Sequence, residues 1–162
     1  MVKNTKIKKP KIKILYDSRE QTPFTFKDYE WIESTKETLD FGDYTMVGHD
    51  LYRDDHSVIV ERKANAQELV NNIGTNWERF LREMENVTKY RHKMILVCGP
   101  NNIEFLYRQG FTKISPNFFY KQLAILQTEY NVPTIFMQDY DHAESYIVRY
   151  FGQIQNLLLK DE

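Results

Sequence analysis

Residues 58–69 read VIVERKANAQEL: three β-branched apolar residues run into a carboxylate and two cations, and then into a polar stretch with a helix-start signal. In a strand, successive side chains alternate faces, so Ile59, Glu61 and Lys63 share one side while Val58, Val60 and Arg62 share the other. A charge buried without a partner costs several kcal/mol. Two readings of this strand end therefore stand. Glu61 and Lys63 form a structural ion pair at the edge of a core, or the carboxylate holds a hard cation while the ammonium orients a water or meets phosphate charge.

Outward from this stretch, apolar runs and helix starts alternate. IKILYD (12–17), YTMVG (44–48), SVIVER (57–62), MILVCG (94–99) and VPTIFM (132–137) predict strands, with a segment of turn residues and scattered aromatics between the first two. A capping residue followed three positions later by Glu predicts helices starting at Asn65, Thr75, Asn101 and Asp141. Ser115 followed by Pro116 predicts a fifth. The order β-β-β-α-α-β-α-α-β-α predicts an α/β fold class with a central mixed β-sheet flanked by helices on both faces. The second helix, predicted over 75–93, turns Trp77, Phe80, Leu81, Met84 and Val87 to the core. Arg79, Arg82, Lys89, Arg91 and Lys93 form its charged face. The last helix carries a wide apolar stripe of Tyr146, Ile147, Tyr150, Phe151, Ile154, Leu157 and Leu158.

The 162 residues fit one domain, long enough to bury about two thirds of the surface its unfolded chain exposes. With 41% hydrophobic residues the chain is not of disordered composition. It has no apolar run long enough to cross a membrane and no apolar signal-peptide core. A single cysteine, Cys98, allows no internal disulfide and reads as a buried core thiol, which points to a reducing, cytoplasmic setting. Residues 1–13 carry six lysines and no acid, so the whole-chain charge of −1 leaves −7 for residues 14–162. This divides the chain into a basic N-terminal arm, 1–13, and a single domain, 14–162; such an arm suits either solubility or contact with nucleic acid. His49, His56, His92 and His142 show no zinc-site spacing.

Four acids stand at the ends of the early strands: Asp17 and Glu20 in YDSRE, Asp43 in FGDY and Glu61 in VERK. Carboxylates gathered at one rim of a sheet repel one another unless a cation sits among them. In this order, DSRE, GDY and ERK resemble the nuclease domain of the XPF family of structure-specific DNA endonucleases. The motifs span Ile14 to about Tyr90, and the later strand–helix alternation fits the rest of such a domain.

The resemblance implies a restriction-endonuclease-like fold of the PD-(D/E)xK class. It also implies a Mg2+- or Mn2+-dependent endonuclease that hydrolyses phosphodiester bonds in branched, flapped or junction DNA, as in repair and recombination, leaving 5′-phosphate and 3′-hydroxyl ends. Asp43 and Glu61 match the main metal ligands and Lys63 the catalytic lysine. Asp17 and Glu20 match the acidic pair that supports metal or water, Asp17 being counted with the ligands. Arg19 and Arg62 match the motif arginines; with Trp77 and Arg79, near a helix start where similar nucleases approach their substrate, they are the residues expected to meet DNA. The chain departs from the pattern at Gln67, where the family has Asp; Glu68, one place on, points about 100° away on a helix. Relatives pair nuclease domains through late helices, so a homodimer is expected. Larger relatives add a helix-hairpin-helix module, for which no residues remain after the last helix, so a stand-alone domain is expected, associated with a nucleoid or working in an infected host cell. Two rival readings are a weak or inactive nuclease-fold module that only binds DNA or a partner, and a structural domain whose acids pair with Arg19, Arg62 and Lys63.

Overall fold

The computed structural model describes residues 10–51 and 53–162. Lys3, Lys6, Lys8 and Lys9 of the basic arm lie outside the described residues; Lys11 and Lys13 are exposed at the start of the first strand. Eleven elements follow in order: β1 (Ile12–Asp17), β2 (Ile32–Glu37), β3 (Tyr44–Met46), β4 (Val58–Lys63), α1 (Ala66–Ile73), α2 (Trp77–Val87), β5 (His92–Cys98), α3 (Ile103–Arg108), α4 (Pro116–Thr128), β6 (Thr134–Met137) and α5 (Tyr140–Asp161).

The strands form one mixed sheet in the order β2-β1-β3-β4-β5-β6. β1 pairs with β2 in parallel and with β3 antiparallel, and β3 is antiparallel to β4. β4, β5 and β6 run parallel, with Glu61 beside Ile95 and Lys63 beside Val97. Alternation along β4 works as the pattern predicts. Val58 and Val60 pack with Ile14, Tyr44, Met94 and Leu96 under α5, while Ile59 packs with Ile95, Val97 and the residues of α1 to α4. Helices therefore cover both faces. Cys98 is buried on the α5 side.

Several boundaries differ from the sequence expectation. β2 was not predicted because IESTKE buries only Ile32; it is an edge strand whose other side chains face solvent, so it has no apolar alternation to detect. α2 ends at Val87 rather than near 93, since His92 already pairs with Val58 as the first residue of β5. Asn65 and Ser115 cap their helices as expected, but the other caps are Asn76, Asn102 and Asp139. Asn102 and Asp139 win because their side-chain oxygens accept from Phe105 N and His142 N.

The turn into β3 places Asp43. Gly42 has φ +65°, in the left-handed region, and a Cβ there would lie 2.5 Å from Ile59 Cγ1, a side chain fully buried under the helices. Gly42→Ala should therefore cost roughly 2–4 kcal/mol, from the left-handed backbone and the overpacked Ile59 together. Urea denaturation of the two proteins measures this directly; a loss below 1 kcal/mol would mean the turn reshapes freely.

Candidate active site

Asp17 at the end of β1, Asp43 at the start of β3 and Glu61 near the end of β4 come to one rim because the backbone joins them. Asp17 N–H donates to Asp43 O (2.8 Å), and Asp43 N–H donates to Val60 O (2.9 Å). The three acids line a cleft of about 490 Å³, with Arg19, Asp40, Phe41 and Gly42 on one side and Arg79, Arg82, Glu83 and Asn86 of α2 on the other. Those four α2 residues follow i, i+3, i+4, i+7 spacing on the face beside buried Phe80 and Met84, with Val87 closing the cleft at its edge. Of the charged face expected on this helix, to be simply solvated or to touch DNA phosphates, Arg79 and Arg82 line the cleft. Trp77 packs on Phe80 and lines an adjoining groove that shares Arg79 and Arg82 with the cleft.

Each acid has a different neighbourhood. Asp17 is 2% exposed. Its Oδ2 accepts from Arg19 N–H (3.2 Å) and Nε (2.7 Å), and its Oδ1 from Leu39 N–H (3.0 Å) and Arg19 Nη2 (3.2 Å). Burial pushes its pKa up, but these donors outweigh burial and hold it below the usual carboxylate value. Glu20 accepts from Arg62 Nη1 (2.8 Å) and the Tyr44 hydroxyl (3.0 Å). Glu61 accepts from Lys63 Nζ (2.9 Å), which also sits 5.3 Å from the centre of the Phe80 ring. Burial raises the Glu61 pKa against the pull of Lys63, while the Lys63 pKa is raised because Glu61 outweighs burial of the ammonium.

Asp43 is the exception. Its Oδ2 accepts from Arg62 N–H (2.7 Å), and among the described residues no cation lies at ion-pair distance. Burial, then the charge of Glu61, lifts its pKa to about 8.

Arg62, expected to meet DNA, is instead buried at 6% exposure with its guanidinium spent on Glu20, Thr22 O and the ring faces of Phe24 and Tyr140. Gln67 donates to Asn71 Oδ1 along α1, and Glu68 accepts from Ala64 N–H, so neither lines the cleft. The histidines form other contacts, chiefly His56 with Asp161 and His92.

Among the described residues no group of three or more His, Cys, Asp or Glu side chains is arranged to hold an ion. The donor set is a pair. Mg2+ keeps several waters and is commonly held by one or two carboxylates together with substrate phosphates, so Asp43 and Glu61 fit a hard divalent ion as a substrate-completed site. A buried carboxylate raised by its acidic neighbour is the environment such an ion relieves.

The raised Asp43 pKa carries a stability prediction. A folded-state value of about 8 against an unfolded value near 4 means that the native protein binds this proton more tightly, so its contribution is present at low pH and lost as pH rises through 8. Asp43→Asn keeps the oxygen that accepts from Arg62 N–H and removes the charge. In EDTA at pH 8 it should raise the melting temperature by about 3 °C or more, roughly 1 kcal/mol for a chain of this size, with the gap closing towards pH 4. A lower melting temperature at pH 8 would contradict it.

Comparison with known proteins bears on the family and the fold. A family model described as the ERCC4 domain matches residues 16–150. XPF from Aeropyrum pernix superposes with a TM-score of 0.64 at 20% identity, covering 92% of this chain and 67% of that one. The structure of XPF from Aeropyrum pernix in complex with DNA gives 0.63 at 20% identity, covering 94% and 67%. No curated protein sequence matches the chain. The sheet order with helices on both faces, the DSRE, GDY and ERK motifs at one rim, and the match over residues 16–150 together place this chain in the ERCC4-domain family, with the restriction-endonuclease-like fold of XPF-type nuclease domains.

Proposed function

We propose that the chain is a metal-dependent DNA endonuclease that hydrolyses phosphodiester bonds in branched or flapped DNA. The observation that carries this reading is Asp43. Of the four rim acids, Asp17, Glu20 and Glu61 each have a cationic side chain at ion-pair distance, and Asp43 sits half-buried beside Glu61 with none among the described residues. Asp43 and Glu61 would hold Mg2+ or Mn2+, which supplies positive charge at the phosphate and acidifies water. Asp17, on the same cleft wall, would reach the ion only by releasing Arg19. Lys63 Nζ, held by Glu61 on the same strand face, meets negative charge that builds on the phosphate. Arg19 and Arg79, both largely exposed, stand with Arg82 on the cleft walls to bind flanking phosphates, and Trp77 extends that surface along α2. Glu20 supports the site from behind through Arg62.

One observation favours the structural-domain alternative: the pairs Asp17–Arg19, Glu20–Arg62 and Glu61–Lys63 are those it predicts. That reading gives no purpose to Asp43, whose pKa stays raised although Lys63 lowers it.

Homodimerisation also belongs to this proposal. The stripe of α5 is largely used by the sheet, with Ile147, Phe151 and Ile154 buried. Besides the groove that α5 forms with Trp31 and Leu159, a surface for a second copy is offered by the edge strand β6 with α3 and α4, where Phe111, Phe118, Tyr120 and Phe136 are each more than 40% exposed. Sedimentation should show a dimer that Phe136→Glu converts to monomer; a wild-type monomer at tens of micromolar would refute this.

The decisive assay offers labelled flap, fork, four-way and plain duplex DNA with Mg2+ or Mn2+. Wild type should cut branched substrates, and Asp43→Ala and Lys63→Ala should each lose about 100-fold or more in rate. Arg79→Ala should still cut, but bind every substrate more weakly and lower the salt dependence of binding by about one ion. Equal cutting by wild type and the two site variants, or none by any of them, defeats the assignment.

A further inference from the structure

The strand end that carries Glu61 and Lys63 is steered by the residue between them. Arg62 faces away from the cleft, its guanidinium 4.5 Å from the Phe24 ring centre and 5.5 Å from that of Tyr140. Nη1 donates to Glu20 Oε2 (2.8 Å) and Thr22 O (2.6 Å), while the Arg62 backbone N–H holds Asp43 Oδ2. Thr22 and Phe24 belong to a loop that other elements hold by its backbone. The Tyr140 hydroxyl donates to Pro23 O (2.8 Å) and accepts from Thr25 N–H (3.1 Å), and Glu144 Oε1 accepts from Phe26 N–H (2.6 Å). Tyr44, the neighbour of Asp43, accepts from Phe24 N–H through its hydroxyl and donates to Glu20.

This loop does not take its shape unaided. Phe26 has φ +53°, a left-handed backbone that costs a non-glycine residue about 1–2 kcal/mol. The strain lies at the residue whose N–H is bonded by Glu144, so the α5 contacts impose the conformation that presents Thr22 O and the Phe24 ring to Arg62. Neither Tyr140 nor Glu144 lines the cleft.

Resting on the nuclease reading of the cleft, we propose that Tyr140 and Glu144, on the first turns of α5, are positioning residues for the site. By clamping residues 22–26 they fix Arg62, and Arg62 in turn sets the face and height at which Asp43, Glu61 and Lys63 meet the phosphate. The clamp acts on catalysis through geometry alone: a side chain that defines the back of the strand end decides where its front points, and small misplacements of reacting groups are expensive.

Two measurements on the full chain test this. The first is amide hydrogen exchange. Tyr140→Phe removes both hydroxyl bonds and keeps the ring over Arg62; it should speed exchange at Thr25 and at Arg62 by about tenfold or more while the amides of β5 keep their protection. Glu144→Ala should behave likewise at Phe26 and Arg62, and Glu144→Gln, which retains an oxygen for Phe26 N–H, should stay near wild type. The second is cleavage kinetics with Mn2+. Tyr140→Phe and Glu144→Ala should lower kcat about fivefold or more with KM for DNA within twofold, and Glu144→Gln should restore it. Loss of protection at Thr25 and Phe26 with none at Arg62 overturns the proposal, as does an unchanged kcat. If wild type cuts no DNA at all, the nuclease reading fails on its own account, and the exchange pattern still decides whether α5 holds the strand end.

Discussion

Burying a guanidinium is the constraint around which this molecule is arranged. An arginine cannot lose its charge, so Arg62 at 6% exposure has to be given acceptors and ring faces, and it draws them from Glu20, Thr22 O, the Cys98 side chain and the rings of Phe24 and Tyr140. Those partners tie the loop after β1 and the start of α5 to the end of β4. Because side chains on a strand alternate, anchoring Arg62 on the α5 side leaves Glu61 and Lys63 on the other, where Glu61 lines the cleft and Lys63 is buried behind it against Phe80.

On the cleft side the electrostatics divide the acids by role. The Asp17–Arg19 pair has one largely exposed member, so its worth lies in closing the turn through Leu39 rather than in Coulomb energy. The Glu61–Lys63 pair is nearly buried, where desolvation offsets much of the attraction, and both groups are shifted in the directions that burial and their mutual charge dictate. Asp43 has a backbone N–H and an acidic neighbour but, among the described residues, no cation at ion-pair distance, a cost that a domain built only for stability would avoid. Residues with strongly shifted pKa values that face a cleft are where chemistry is to be sought.

The strand ends and their acids were legible because apolar runs, turn glycine and charged termini are local signals. DSRE, GDY and ERK could be read together, and the alternation in VIVERK assigned Glu61 and Lys63 to one face correctly. Local signals failed where structure came from pairing. IESTKE has no alternation, yet it is a strand because β1 offers it a parallel edge. Three of the helix caps moved by one or two residues: at Asn102 and Asp139 a neighbouring polar side chain takes the first free N–H, while Asn76 caps without a side-chain bond. Arg62 looked like a DNA contact because charge in sequence says nothing about exposure. Tyr44 stood inside the GDY motif, but its hydroxyl joins Phe24 N–H to Glu20, 24 residues upstream, which no spacing rule shows.

By itself, then, the sequence determined the α/β class, the order of most elements, the family, and which acids stand at strand ends, since all of these rest on periodicity and short motifs. Only the tertiary structure decided which carboxylate lacks an ion-pair partner among the described residues, that Arg62 points inward, that Arg82 joins Arg79 on the cleft wall, and that α5 holds the loop behind the site. The physical reason is that these depend on burial and on hydrogen bonds between residues up to 118 positions apart, and such partners become neighbours only when the sheet and its two helical layers close.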